Sequence, residues 1–230
     1  MKNLIQETAK SDLAARAEYS ISLVQPQVRS KIVLDVGCGF GWFIQRILAS
    51  RPRKIYGIEV SEADLMGAKK ELSKYKNVSL LVGSAIDIQV KDRSADLVVS
   101  WEVIEQIQKG TEAIFFTEVA RVLKKNGRFF LSTPYDCFLT TWLDPEWWIA
   151  GHRHYKVETL IALGMNTGFK VNNFTIKGNI WSNLGLLNMY ISKWILRRRP
   201  FFLEWFVRKD KESYSLPNGY STIFMEFVKL

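Results

Sequence analysis

The chain has 230 residues, 47% of them hydrophobic and 24% charged, with a formal net charge of +9. That balance excludes a disordered or low-complexity chain and fits one domain with a sizeable core. Two cysteines, Cys38 and Cys137, speak against a disulfide framework, and the positive charge suits an acidic partner: anionic lipid, a phosphorylated substrate or nucleic acid.

The opening residues, Met1 to Glu7, carry no apolar core of signal-peptide length, so a reducing, cytoplasmic setting is the expectation. Residues of about 3–28 have a helical pattern that Pro26 ends. Residues 31–36 are an apolar, β-branched run and read as a buried strand. An acid and three alternating glycines follow (Asp35, Gly37, Gly39, Gly41), and then helical spacing from Trp42 to Leu48. Glycine tolerates positive φ and has no Cβ, so a ligand can lie against such a turn, and the N–H groups of a helix start can meet its polar groups. Cys38 sits in that turn as a small buried residue.

A second strand, 54–60, ends at Glu59, about twenty residues beyond Gly39, where a carboxylate can accept both hydrogen bonds of a ribose diol. Ser61 with Asp64 reads as a helix cap. The third strand, 78–82, leads to Ser84 and Ala85. The fourth, 95–100, leads to Trp101 and Gln106, at the end where open parallel sheets bind ligands. A helix from Thr111 to Leu123, a turn at Asn126 and Gly127, and a fifth strand at 128–132 follow. Strand and helix alternate, which predicts a parallel sheet. Residues of about 133–155 are irregular and aromatic and hold both histidines, His152 and His154, beside the ligand-binding end. A histidine pair there makes a candidate general base. A helix over 157–166, a Gly168 cap and strands at 169–176 and 221–228 complete the pattern.

Asp-x-Gly-x-Gly-x-Gly is not the G-x-G-x-x-G of a dinucleotide site. Together with Glu59 and the later strand ends, in this order over about residues 31–168, it resembles the class I S-adenosylmethionine (SAM)-dependent methyltransferases. The resemblance implies an α/β, Rossmann-like fold. Its seven-stranded, mostly parallel sheet would carry helices on both faces, an antiparallel last strand, an N-terminal helical cover (about 1–28) and a helical insert between the last two strands. It also implies SAM as cofactor. Asp35 would face the amino-acid end, and Gly37, Cys38, Gly39 and Gly41 would lie along the cofactor. Glu59 and Val60 would meet the ribose, and Ser84 and Ala85 the adenine. Trp101 would wall the adenine or the methyl pocket, with Gln106 close by. Arg16 and Tyr19 of the cover would reach toward the cofactor carboxylate. Two positions depart from the family: Ser84 stands where an Asp is common, with Asp87 near enough to substitute, and Gln106 stands near a common His. No spacing of metal ligands is present.

The insert, about 179–220, is aromatic and basic. Leu184, Leu187, Ile191, Trp194 and Ile195 fall on one helical face. Lys193, Arg197, Arg198, Arg199, Arg208, Lys209 and Lys211 outnumber Glu204, Asp210 and Glu212. Lys193 and the scattered Ser and Asn argue against a membrane span. The pattern reads as an interfacial helix on an anionic membrane, or as a lid with its apolar face on the protein. Its strands meet at the cofactor edge, which predicts an insert over the active site.

The expected function is methyl transfer from SAM to a small-molecule acceptor, hydrophobic or lipid-linked, by a cytoplasmic protein that docks peripherally on membrane. Three rivals stand beside it. A nicotinamide-dependent oxidoreductase would need its third glycine one residue later and leaves Asp35 unexplained. An RNA methyltransferase is favoured by charge alone, and neither an Asn/Asp-Pro-Pro-aromatic motif nor an RNA-binding module is visible. A non-catalytic SAM-binding module would use the insert to hold a partner. No oligomeric state is legible in the sequence.

Overall fold

The computed structural model describes residues 14–230, so the part of the predicted N-terminal helix before residue 14 lies outside the described residues. Within them the chain alternates strand and helix. The first half runs α1 (Ala15–Val24), β1 (Ile32–Val36), α2 (Trp42–Ile47), β2 (Lys54–Glu59), α3 (Glu62–Leu72), β3 (Val78–Val82) and β4 (Ala95–Trp101). The second runs α4 (Glu112–Val122), β5 (Leu123–Pro134), α5 (Phe138–Leu143), α6 (Pro145–Ile149), α7 (Val157–Asn166), β6 (Phe169–Lys177), α8 (Ile180–Tyr190), α9 (Leu203–Ser215) and β7 (Thr222–Lys229). The strands form one seven-stranded sheet in the order β3-β2-β1-β4-β5-β7-β6. β1 to β5 pair in parallel, and β7 runs antiparallel to both β5 and β6.

The apolar runs of the strands follow from burial on both faces. Side chains alternate across the sheet with period two. Leu34, Val98, Phe129, Leu131, Met225 and Phe227 enter one core cluster with α4 and α7. Val33, Leu97, Val99, Phe130 and Phe224 enter the other, with α1, α2 and α3. In the first cluster the rings of Phe116, Phe129, Phe169 and Phe227 lie within 6.2 Å of one another.

Four local expectations change. The first helix stops at Val24, because Pro26 has no N–H to donate, and a single 3-10 turn at Gln25–Gln27 follows. β5 begins at Leu123: that residue pairs with Ala95 and Arg128 pairs with Leu97, so the predicted turn is a loop-out within the strand, with Asn126 at a φ of 60°. The irregular segment after β5 holds two short helices, α5 and α6, the second capped by Asp144, which accepts from the Glu146 N–H. In the insert, α8 runs into a π-turn at Ile191–Ile195. Its wider spacing rotates later side chains off the face that 3.6-residue spacing predicts. No helix among the described residues is long and apolar enough to cross a membrane.

Candidate active site

The strand order reverses at β1, which lies between β2 and β4. Ligands of open α/β sheets bind outside the carboxyl ends of the strands at such a point. A cleft of about 1320 Å³ opens there. It exceeds the roughly 300–1,000 Å³ of a single small-molecule pocket, so cofactor and acceptor fit side by side.

The glycine turn forms one wall. The N–H groups of Gly37 and Cys38 both donate to the Ile58 carbonyl, at 2.8 and 2.9 Å, which ties the turn to the end of β2. A Cβ on Gly37 would lie 2.3 Å from Val103, so glycine is required for the β4 loop to pass this closely. At Gly39 a Cβ would meet nothing within 4 Å, and φ is 50°. Its backbone is bare to the cleft, where a ligand can lie against it. Gly41 starts α2 and packs against Leu72, off the cleft wall. Cys38 is buried, and burial, with Asp35 and Glu59 nearby, pushes its thiol pKa up; it serves as packing.

Asp35 sits one residue before the end of β1, fully buried, with Oδ2 left without a hydrogen-bond partner among the described residues. Burial, and then the Glu59 charge, raise its pKa well above the usual carboxylate range. A buried polar atom without a partner costs about 1–3 kcal/mol. Ser100 Oγ and Trp101 Nε1, at the adjoining end of β4, are likewise buried and unpartnered. Glu59 accepts from the Gly39 N–H and from the Ser61 N–H, both at 2.9 Å, and so braces the turn. Each carboxylate oxygen retains a second lone pair that a diol can use.

Val60, Ser84, Ala85, Trp101 and Gln106 also line the cleft, as do Gly37, Gly39 and Glu59. Ser84 Oγ accepts from the Ile86 N–H at 3.3 Å. Asp87 lies off the cleft wall, with its carboxylate on Gln89. Trp101 is wall and core at once, its ring 5.7 Å from Phe43.

Beyond Trp101 the structure joins Arg16 and Gln106, which the sequence singled out, to Glu102 and Ser132, which it did not. Glu102 has a φ of 57°, unusual for a residue with a Cβ and a sign of strain of about 1–3 kcal/mol. Ser132 Oγ donates to its Oε1 at 2.6 Å, and Arg16 pairs with its Oε2 at 2.9 Å. Gln106 Nε2 donates to the Glu102 carbonyl at 2.6 Å and fastens the strained turn. Arg16, Glu102 and Ser132 all line the cleft. Glu105 lies behind, buried, and accepts from Thr133 Oγ1 at 3.0 Å. Burial, and then the neighbouring Glu102, raise its pKa well above the usual carboxylate range. A glutamate carries no sequence signal for left-handed φ, which is why Glu102 went unmarked.

The two histidines are elsewhere. His154 is buried between Asp144, 2.8 Å from Nε2, and Thr141, 2.9 Å from Nδ1. His152 Nδ1 lies 3.1 Å from Glu146, whose hydrogen bond raises the imidazole pKa. Neither lines the cleft; together they pin α6 to the segment after it. Tyr19 also points away, its hydroxyl 3.2 Å from Thr175 Oγ1. No residue of the insert lines the cleft either. The cover is α1, and the insert braces α1 from outside, through Lys211 to Glu18 at 2.9 Å and Tyr214 against Tyr19.

Comparison with known proteins agrees with this geometry. Residues 34–131 match the profile of a family described as "Methyltransferase domain". The chain is 34% identical over 140 residues to an uncharacterised methyltransferase-like protein of Schizosaccharomyces pombe, covering 54% of this chain and 50% of the relative. The chain thus spans about half the length of that relative. It is 31% identical over 158 residues to an O-methyltransferase of Aspergillus nomiae, covering 64% of this chain and 68% of that one. The fold is similar to the crystal structure of a Listeria monocytogenes protein described as a "putative S-adenosylmethionine dependent methyltransferase", with a TM-score of 0.65 at 18% identity over 94% of this chain and 99% of the other. The bare glycine at the β1 turn, the buried acid before it and the carboxylate at the end of β2 fit SAM, and the chain belongs to the class I S-adenosylmethionine-dependent methyltransferases.

Proposed function

We propose that this protein transfers the methyl group of SAM to an oxygen atom of a small-molecule acceptor that is hydrophobic or lipid-linked. The supporting observation is the strained Glu102 carboxylate, held by Arg16 and Ser132 on the cleft wall next to Trp101. Val103, Ile107 and Ile86 also line the cleft and give it apolar wall, which suits an apolar acceptor. The Aspergillus relative named an O-methyltransferase supports oxygen as the nucleophile.

SAM, when bound, supplies a sulfonium whose methyl group is already electrophilic. The residues of the chain then have three tasks. Gly39, Glu59 and Asp35 bind and orient the cofactor through backbone and carboxylate. Trp101 and α1 cover the cleft and keep water away from the transfer. Glu102 would take the proton of the acceptor hydroxyl, while Arg16 and Ser132 hold its carboxylate in place. His152 and His154 have no part in this step, since neither reaches the cleft.

The test uses labelled SAM against a panel of quinol, lipid and sugar acceptors, with SAM binding measured separately by calorimetry. Glu102→Gln should bind SAM as the parent does and lose about 10²–10⁴-fold in kcat, the scale of general base catalysis. Full turnover in that variant would remove Glu102 from the chemistry. SAM binding without product across the panel would favour a non-catalytic module that holds a partner.

A further inference from the structure

The α8–α9 hairpin is built inside out. Apart from Tyr214 in the stem of α9, its buried positions are polar: Asn183, Ser192 and Ser213. Asn183 Nδ2 donates to the Thr140 carbonyl at 3.2 Å, and its Oδ1 accepts from Ser221. Ser182 donates to Asp210 across the hairpin. Docking through a polar seam turns apolar side chains outward. Ile195 is 73% exposed and Phe202 78%, with Trp194, Leu196, Leu203 and Trp205 exposed around them. The adjoining α5–α6 segment does the same: Phe138 is 80% exposed and Ile149 71%, beside the Trp142, Trp147 and Trp148 rings. Tyr190 donates to Glu146 at 2.7 Å and joins the two parts into one body. So many large apolar side chains exposed on two joined elements mark a contact site.

The charge selects the partner. Of the basic residues in the insert, Arg208 and Lys209 pair with Glu212, and Lys211 pairs with Glu18. Among the described residues no ion pair neutralises Lys193, Arg197, Arg198 or Arg199, all at the hairpin tip. The Arg198 guanidinium lies 4.0 Å over the Phe201 ring, on the apolar surface itself. Exposed Trp and Phe edged by unneutralised Arg and Lys is the composition of an element that lies in a lipid–water interface. We infer that the α5–α6 segment and the tip of the α8–α9 hairpin form one docking surface for an anionic lipid bilayer. The inference deepens the reading of a hydrophobic acceptor and rests on it for its purpose only, because docking is measured without cofactor or acceptor.

The experiment is co-sedimentation of the full chain with vesicles of phosphatidylcholine alone or of phosphatidylcholine and phosphatidylglycerol in equal parts. The parent protein should pellet with the anionic vesicles, lose that binding in high salt and bind the neutral ones far more weakly. Each basic residue near an anionic surface adds roughly fivefold, so the R197Q/R198Q/R199Q variant should lose about a hundredfold in partitioning. F138S/F202S should weaken binding to both kinds of vesicle. Unchanged SAM binding by calorimetry shows that each variant is folded. Equal binding of the parent to the two vesicles, binding to neither, or a triple-glutamine variant that partitions like the parent would overturn the inference. A dimer that F138S/F202S dissolves, with no vesicle binding, would give the face to a second copy and overturn it equally.

Discussion

Asp35 shows what the site costs at the scale of one residue. It is buried with an oxygen that has no hydrogen-bond partner among the described residues, and its pKa is raised by burial and by Glu59. A carboxyl whose folded pKa lies above its unfolded value binds more protons when folded, so stability falls as pH rises from the unfolded value through the folded one. Asp35→Asn escapes that penalty. It should melt higher than the parent at pH above neutrality and match it more closely in acid. If Asp35 meets the charged amino end of SAM, the same change should weaken binding about tenfold or more, the loss of a charged hydrogen bond. Parent affinity should also fall as pH drops and the free carboxyl takes up its proton. Calorimetric titration and melting curves across pH check both halves; unchanged SAM affinity in Asp35→Asn would detach this acid from the cofactor. Asp35, Gly37 and Glu59 stood out in the sequence because an acid and glycines at that spacing mark a close backbone approach, which the structure has at Gly37, and because Glu59 ends a strand at the open end of the sheet. Glu102 was not, because its role comes from φ and from Arg16 and Ser132, both distant in sequence. The histidines misled because a place in the chain near the cofactor edge does not say which way an imidazole points.

Two helical glycines separate packing from propensity at the scale of elements. Gly164 lies in α7, where a Cβ would come 2.4 Å from Phe227 Cε1, at the centre of the aromatic cluster. Overpacking of about 1–3 kcal/mol outweighs the helix gain of about 1 kcal/mol for Gly→Ala. Gly67 lies in α3, and its Cβ would meet only Phe40 at 3.9 Å. Gly164→Ala should therefore lower the Tm and Gly67→Ala should raise it, by roughly 2–4 °C per kcal/mol for a chain of this size. Thermal unfolding of the two variants is the check, and a rise for Gly164→Ala would show that α7 is free to shift away from β7. The strands and the long helices were legible because periods of two and 3.6 report burial directly. The loop-out in β5 and the π-turn after α8 were not, since each breaks the period by which an element is recognised. The insert was legible as amphipathic, but the side on which it docks was not. Its seam is made by Asn183, Ser182 and Ser213, which read as surface residues until Thr140, Ser221 and Asp210 are seen to meet them.

At the scale of the whole molecule, the cleft and the exposed aromatic surface belong to different parts of the fold. The cleft rests on β1, β2, β4 and α1, with a core cluster on each sheet face beneath it. Tyr214 in the stem of α9 belongs to one of those clusters, so the stem is part of the domain. The hairpin tip contributes to neither. It is held by contacts within itself, such as Asn188 Nδ2 to the Phe201 carbonyl at 2.7 Å and the Arg198 N–H to the Ser192 carbonyl at 2.9 Å. Replacing residues 193–202 with a short Gly-Ser linker should therefore leave the stem, α1 and the cleft in place. SAM affinity should stay within about twofold, as for a surface change remote from the site. Binding to anionic vesicles should be lost, because the four unneutralised cations of the tip leave with it. Calorimetry and co-sedimentation on the same preparation read both outcomes. A tenfold or larger loss of SAM affinity would mean that the tip acts on the cleft through α9 and α1, and that docking and cofactor binding are coupled rather than separate.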